Sequence, residues 1–332
     1  VRTTRRWLAG IAAAALALPL AACAGSGDDG GDTGAADSLV VYSGRSESLV
    51  GPLFEQFTAE TGIAVEARYG DTAELAAQLI EEGDRSPAQV YFAQDAGALG
   101  AVAAEGLFAS LPANVATLVP VNYRAQDGTW TGVTGRARVI AYDPEQVRAD
   151  EVPDSIFDLT EPRWAGEVGI APTNASFQAF VTAMRVAEGD DVTRAWLEGL
   201  VANDVQTFEK NGLILDAVDT GQVQLGLINH YYWYEKAAEV GAEAMRAQLH
   251  FTAPGDPGAL VNVAGVGILA NAAGNAAADA FVAWLLSPGT QQWFVENTFE
   301  YPLLPGIAAI DGVPPLDTLR GPDAPLAELA DL

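Results

Sequence analysis

Apolar and polar positions along the chain follow two rhythms that keep trading places. Residues 39–42 form a short run rich in β-formers. Leu49, Leu53, Phe54 and Phe57 then recur at helical spacing, and Gly62 marks the stop. Residues 63–69 alternate as a strand, and Asp71-Thr72-Ala73-Glu74 is a capping-box pattern opening a helix that Gly83 closes. A strand over 89–92 and a helix over 97–105 follow. Beyond a change of character near Arg136, strands are predicted over 139–142, 168–171, 224–229 and 263–269. Thr173 or Asn174 caps a helix carrying Phe177, Phe180, Val181 and Met184. Two more helices run over 275–286 and 289–299. Alternation of this kind predicts an α/β architecture, whose ligand groups lie past the carboxyl ends of strands. Three loops meet that condition: 43–47, 93–95 and 229–232. The change of pattern near Arg136 allows a cleft between two lobes.

The N-terminus reads differently. Arg2, Arg5 and Arg6 precede an apolar run over 7–20, too short for a convincing membrane span and ending in small residues. The run closes on Leu20-Ala21-Ala22-Cys23, which resembles the lipobox of bacterial lipoproteins, and Cys23 is the only cysteine in the sequence. Residues 1–22 are therefore expected to be a signal peptide and Cys23 to be acylated; an ordinary signal peptide with an incidental cysteine is the alternative. Arg5-Arg6 also fits a twin-arginine signal, so the export route stays open. Residues 23–37 are acidic and glycine-rich, expected to be a flexible tether, with the folded part starting near Ser38. The protein is thus expected on the outer face of the cytoplasmic membrane, held there by its lipid alone. The formal charge is −27, and loss of the three leader arginines takes it near −30. Nucleic acid is excluded as a partner.

The doublet Tyr231-Tyr232 is the sharpest chemical feature. Phenolates are hard oxygen donors that suit a hard trivalent cation, and such a cation can deprotonate its own ligand. From the doublet alone, two cleft-wall or core aromatics are the favoured reading. On a regular strand adjacent side chains face opposite ways, so convergence needs a turn or a helix start here. His230 and His250 are the only histidines, too few for a zinc-type cluster, and His230 is expected to point away from the metal or pack on the cleft wall. No nucleophile elbow, phosphate-binding loop or zinc-protease motif appears, so an enzyme is not expected.

Several segments, in order, resemble the bacterial ferric-binding proteins: Val41-Tyr42-Ser43-Gly44-Arg45, Gly83-Asp84-Arg85-Ser86-Pro87-Ala88, Gly135-Arg136-Ala137-Arg138-Val139, Ala171-Pro172-Thr173-Asn174, Asn229-His230-Tyr231-Tyr232-Trp233, Asp256-Pro257-Gly258-Ala259-Leu260 and Glu300-Tyr301-Pro302-Leu303. The resemblance runs from about Leu39 to Ile307. It implies a two-lobed periplasmic-binding-protein fold with hinge strands and an interlobe cleft, 38–135 plus 262–312 forming one lobe and 136–261 plus 313–332 the other. It implies Tyr231 and Tyr232 as Fe(III) ligands, and an ABC importer permease with its ATPase as the partner of a monomer. Best-known members add a histidine and a glutamate, where this chain has Ser46 and Gln94. Ser46 also reads as a helix cap, and Glu47 and Asp95 stand next to these positions. An exogenous anion such as phosphate, carbonate or citrate is expected to complete the shell. Its candidate holders are Arg45, Arg136, Arg138, Asn174, Ala175, Ser176, Asn211 and Asn229. A binding protein for a phosphonate or other small anionic solute is the alternative, and a purely structural surface lipoprotein a third reading.

Overall fold

The structure, a computed structural model, describes residues 38–321 together with Leu326 and Leu329. The leader, Cys23 and the tether lie outside the described residues.

The described residues open with β1 (Ser38–Ser43), α1 (Glu47–Thr61), β2 (Ala64–Tyr69), α2 (Thr72–Glu82), β3 (Val90–Ala93) and α3 (Ala96–Ala104). Local chemistry explains these boundaries. Val50, Leu53, Phe54 and Phe57 form the buried stripe of α1, and Gly62 ends it in the left-handed region at φ 77°, with its N–H on the Thr58 carbonyl. The Asp71 carboxylate accepts the Ala73 and Glu74 amides and so starts α2. The strands β1, β2 and β3 are parallel, in the order β2-β1-β3.

A short helix α4 (Ala113–Ala116) leads into β4 (Trp130–Tyr142), the axis of the molecule. After it come β5 (Val168–Ile170), α5 (Ala175–Glu188), α6 (Asp190–Ala202), β6 (Gln206–Thr207), α7 (Asn211–Asp219), β7 (Leu225–Asn229), α8 (Tyr231–Val240) and β8 (Gln248–His250). The chain returns through β9 (Val261–Ile268), α9 (Ala276–Leu285), α10 (Pro288–Asn297) and β10 (Tyr301–Pro302). The strand order is β2-β1-β3-β9-β4-β7-β5-β6. From Trp130 to Ala137, β4 pairs antiparallel with β9; from Arg138 to Tyr142 it pairs with β7. One strand therefore belongs to two half-sheets, and its crossover lies between Ala137 and Arg138. β9 pairs with β3 as well as with the first half of β4, and so joins the half-sheet of β1, β2 and β3 to the crossover strand. The fold is α/β and two-lobed.

The 13-residue β4 is far longer than the expected strand over 139–142. Its first half reads Trp-Thr-Gly-Val-Thr-Gly-Arg-Ala-Arg and is buried throughout, so no alternation of apolar and polar residues marks it. Its glycines have a packing reason: a Cβ on Gly132 would sit 2.6 Å from a Leu303 methyl and from the Tyr123 carbonyl. The helices α6 and α7 are also additions to the sequence expectation.

A continuous apolar core includes Val41, Leu53, Phe57, Val90, Phe92, Val263 and Phe281 on one side and Phe177, Phe180, Trp196 and Leu225 on the other. A second cluster, with Val139, Ile214, Val218 and Ile228, seats α7 and α8 on the outer half of β4 and β7. At the far end, Leu326 and Leu329 are buried, and the Leu329 carbonyl packs on Gly97 of α3.

Candidate functional site

Strand β7 ends at Asn229 and α8 begins at once, His230 already holding helical dihedrals. Consecutive side chains there are rotated by about 100° instead of 180°, so Tyr231 and Tyr232 can share one side. Their rings stack with centroids 4.4 Å apart. They occupy the first turn of α8, where free backbone N–H groups and the helix dipole favour negative charge. Tyr231 is 8% exposed, and burial pushes its phenol well above the usual range, with Tyr232 adding to the shift and Arg136 opposing it. Without a cation, then, Tyr231 is a neutral phenol.

Three buried guanidiniums surround the pair. Arg45, from the β1–α1 loop, donates through both terminal nitrogens to the Glu300 carboxylate, at 2.9 Å each. Glu300 is 1% exposed and also accepts from Thr134 Oγ1 at 3.0 Å and Thr298 Oγ1 at 3.1 Å. Burial opposes charge on both partners; Arg45 and Arg136 nevertheless hold the carboxyl below its ordinary value, and Glu300 holds Arg45 above its own. Arg136 donates to the Gln94 carbonyl, and its Nε lies 3.8 Å from Glu300. Burial, and then the charge of Arg45, lowers the Arg136 pKa. Arg138 lies over the Phe177 and Phe180 rings and donates to Ser176 Oγ and Asn229 Oδ1, both at 3.3 Å. Burial pushes it down to about 9, with both tyrosines opposing. The Nε of all three arginines and Nη2 of Arg138 are buried without a hydrogen-bond partner, as is Asn211 Oδ1.

The N-terminus of α5 faces the same region. Asn174 Oδ1 accepts the Ser176 amide at 3.0 Å and the Ser176 hydroxyl at 2.6 Å, and Asn211 Nδ2 donates to Ser176 Oγ at 3.0 Å. Arg138, Asn174, Ser176, Asn211 and Asn229 thus form one polar network beside Ala175, the first residue of α5.

The remaining candidates fall elsewhere. Ser46 is exposed at the N-cap position of α1, yet its hydroxyl makes no capping bond and meets Ser48 Oγ at 3.3 Å. Glu47 is exposed in the first turn of the same helix. Gln94 engages through its backbone: its N–H donates to Thr72 Oγ1 at 3.2 Å and its carbonyl accepts from Arg136. The Asp95 carboxylate is occupied as the cap of α3, accepting the Ala98 amide at 2.9 Å, and burial raises its pKa. His230 is fully buried, with Nδ1 accepting the Ala137 amide and Nε2 bonded to the Phe299 carbonyl.

Two site residues escaped the sequence reasoning. Glu300 was visible only as part of a motif, because nothing in local spacing links it to Arg45, 255 positions away. Glu235 lies four residues after Tyr231 on α8, a spacing that would have flagged it once the helix start was known. Burial, then Glu300, pushes its carboxyl up to about 7, against the charge of Arg45. Among the described residues, no three His, Cys, Asp or Glu side chains gather to hold a metal ion.

The profile of the bacterial extracellular solute-binding proteins matches residues 88–317. The chain belongs to that family. Its members bind solutes and are not enzymes. The chain is 34% identical over 318 residues to an Fe(3+)-binding periplasmic protein of Serratia marcescens, covering 96% of this chain and 91% of the relative. Among solved structures, iron-bound HitA from Pseudomonas aeruginosa superposes with a TM-score of 0.82 at 34% identity, covering 88% of this chain and 95% of that one. A Trichodesmium protein (IdiA, FutA) in complex with iron and citrate gives 0.77 at 26% identity, with coverage of 88% and 95%.

Proposed function

We propose that this protein captures ferric iron outside the cytoplasm and hands it to an ABC importer. Tyr231 and Tyr232 are the protein's metal ligands and an exogenous anion completes the shell. The observation that carries this reading is the stacked, adjacent phenol pair on a helix N-terminus, ringed by Arg45, Arg136 and Arg138. Charge balance explains the ring. Once both phenols ionise, the three guanidiniums are offset by two phenolates and Glu300. Fe(III) then adds three charges that these groups do not offset, so the metal needs an anion with it. The unpartnered Arg138 nitrogens, beside the first amides of α5, are the groups to hold that anion. The iron–citrate complex of the Trichodesmium relative is consistent with such an arrangement. Residues 38–135 plus 262–312 would form one lobe and 136–261 the other, with the metal between them; the C-terminal segment, expected in the second lobe, meets Gly97 of the first through Leu329. Acylation at Cys23 would keep the protein at the membrane.

The unpartnered guanidinium nitrogens also favour a second reading, in which the cargo is a small organic anion such as a phosphonate and the tyrosines only donate hydrogen bonds. Metal analysis of the purified protein with a visible spectrum separates the two. Ferric phenolate gives a reddish protein with stoichiometric iron; a colourless protein that takes up a phosphonate and no iron would overturn the ferric reading.

A further inference from the structure

Beyond the ligands themselves, the residue just before them has an arrangement that packing alone does not require. Ala137 is the last residue of β4 paired to β9, and Arg138 the first paired to β7. At this crossover the Ala137 carbonyl accepts the His230 amide at 3.0 Å, which continues the ladder of β7. The Ala137 amide instead donates to His230 Nδ1 at 3.2 Å, so an imidazole fills a gap in the backbone ladder. On its other side the ring reaches the carbonyl of Phe299 at 3.0 Å. A peptide N–H can only donate and a peptide carbonyl can only accept. The two bonds therefore fix the tautomer: Nδ1 is bare and Nε2 carries the hydrogen. Phe299 holds a left-handed φ of 56°, rare for a bulky residue, and immediately precedes Glu300. The ring also packs on Tyr301, with centroids 4.8 Å apart.

We infer that His230 is a positioning residue for iron capture: its imidazole pins the start of the tyrosine helix to the crossover strand and to the loop that carries Glu300. One side chain thus ties together the strand shared by the two lobes, the phenol pair and the carboxylate that anchors Arg45. Rotation at the crossover carries the phenols and Glu300 with it only while both imidazole bonds hold. This assignment rests on the ferric reading above.

The test uses His230→Asn, whose amide can replace Nδ1 but not reach Phe299, and His230→Gln, whose amide can reach Phe299 in place of Nε2. Each is expected to fold, to bind Fe(III) roughly tenfold or more weakly, and to shift the phenolate-to-iron band. His250→Gln, at a hydrogen bond to Asp154 remote from these bonds, is the control and keeps the parental affinity and band. Nitrogen NMR of the unmutated protein, free and loaded with Ga(III) as a diamagnetic probe, should show His230 as the Nε2–H tautomer in both states. Folded variants with parental affinity and spectrum, or a bare Nε2 in the unmutated protein, would overturn the role of His230 while leaving the ferric reading intact. An unmutated protein that takes up no iron would instead overturn the ferric reading, and this assignment with it.

Discussion

Glu300→Gln removes one charge from the centre of the cleft, and the structure sets how much that matters. The Glu300 carboxylate receives both Arg45 terminal nitrogens at 2.9 Å and two threonine hydroxyls, and Arg136 Nε stands 3.8 Å away. Glutamine keeps the shape but offers one acceptor instead of two, points an N–H toward guanidinium donors, and leaves two buried cations without their counter-charge. Removing one partner from a buried ion pair costs about 3–5 kcal/mol. That corresponds to a fall in melting temperature of roughly 5–8 °C for a protein of this size. The same loss leaves the cleft more positive, so phosphate should stabilise the variant more than the parent. An anion present at a hundred times its Kd would return about 2.7 kcal/mol. Urea unfolding of both proteins at neutral pH, with and without phosphate, measures both effects. A loss below about 1 kcal/mol, with phosphate helping parent and variant equally, would refute the view of Glu300 as the counter-ion of the arginine cluster.

Further outcomes follow from the same geometry. Burial depresses the His230 pKa to about 4, so on acidification the unfolded chain takes up this proton before the folded one does. Stability should therefore fall by about 3 kcal/mol as pH drops from 6.5 to 4. His230→Asn should lack that part of the slope, as difference melts against the parent would show; an unchanged slope would contradict it. Glu235 acts in the opposite direction but contributes to both proteins, so the difference removes it. Iron affinity should depend on which of phosphate, carbonate or citrate is present and be lowest in a non-coordinating buffer, with Arg138→Met flattening the dependence; equal affinity in every buffer would point to a further protein ligand. Cys23→Ala should move the protein from the membrane fraction to the soluble one, and retention would count against an acyl anchor.

Much of the first lobe was legible in the sequence because its signals are local. Asp71 caps α2, Gly62 closes α1, and Leu53, Phe54 and Phe57 face the core as helical spacing requires, with Val50 buried and Leu49 only partly so. The tyrosine pair stands out in the sequence as two adjacent phenols at a strand end, but it is the family resemblance, not the doublet, that assigns it a metal. What stayed hidden depends on long-range packing. The inner half of β4 carries arginines and glycines where a strand normally shows alternation, because both its faces are covered and its charges meet buried polar partners from distant segments. Ser46 and Gln94 stand where the resemblance expects ligands, with Asp95 beside them, but an exposed serine has solvent for company, Gln94 engages through its backbone, and a carboxylate at an N-cap is already committed to a backbone amide. Glu300 meets Arg45 only once β1 and β10 are brought into one lobe, a pairing no local spacing encodes.

The central claim is that two adjacent phenols hold the metal. The most direct test is an Fe(III) titration of the protein and of Tyr231→Phe, Tyr232→Phe and the double variant, followed by visible absorption with one fixed anion. The account predicts a saturable band at one iron per protein in the parent, weakened in each single variant and abolished in the double. A double variant that still takes up one iron and keeps the parental band would contradict it.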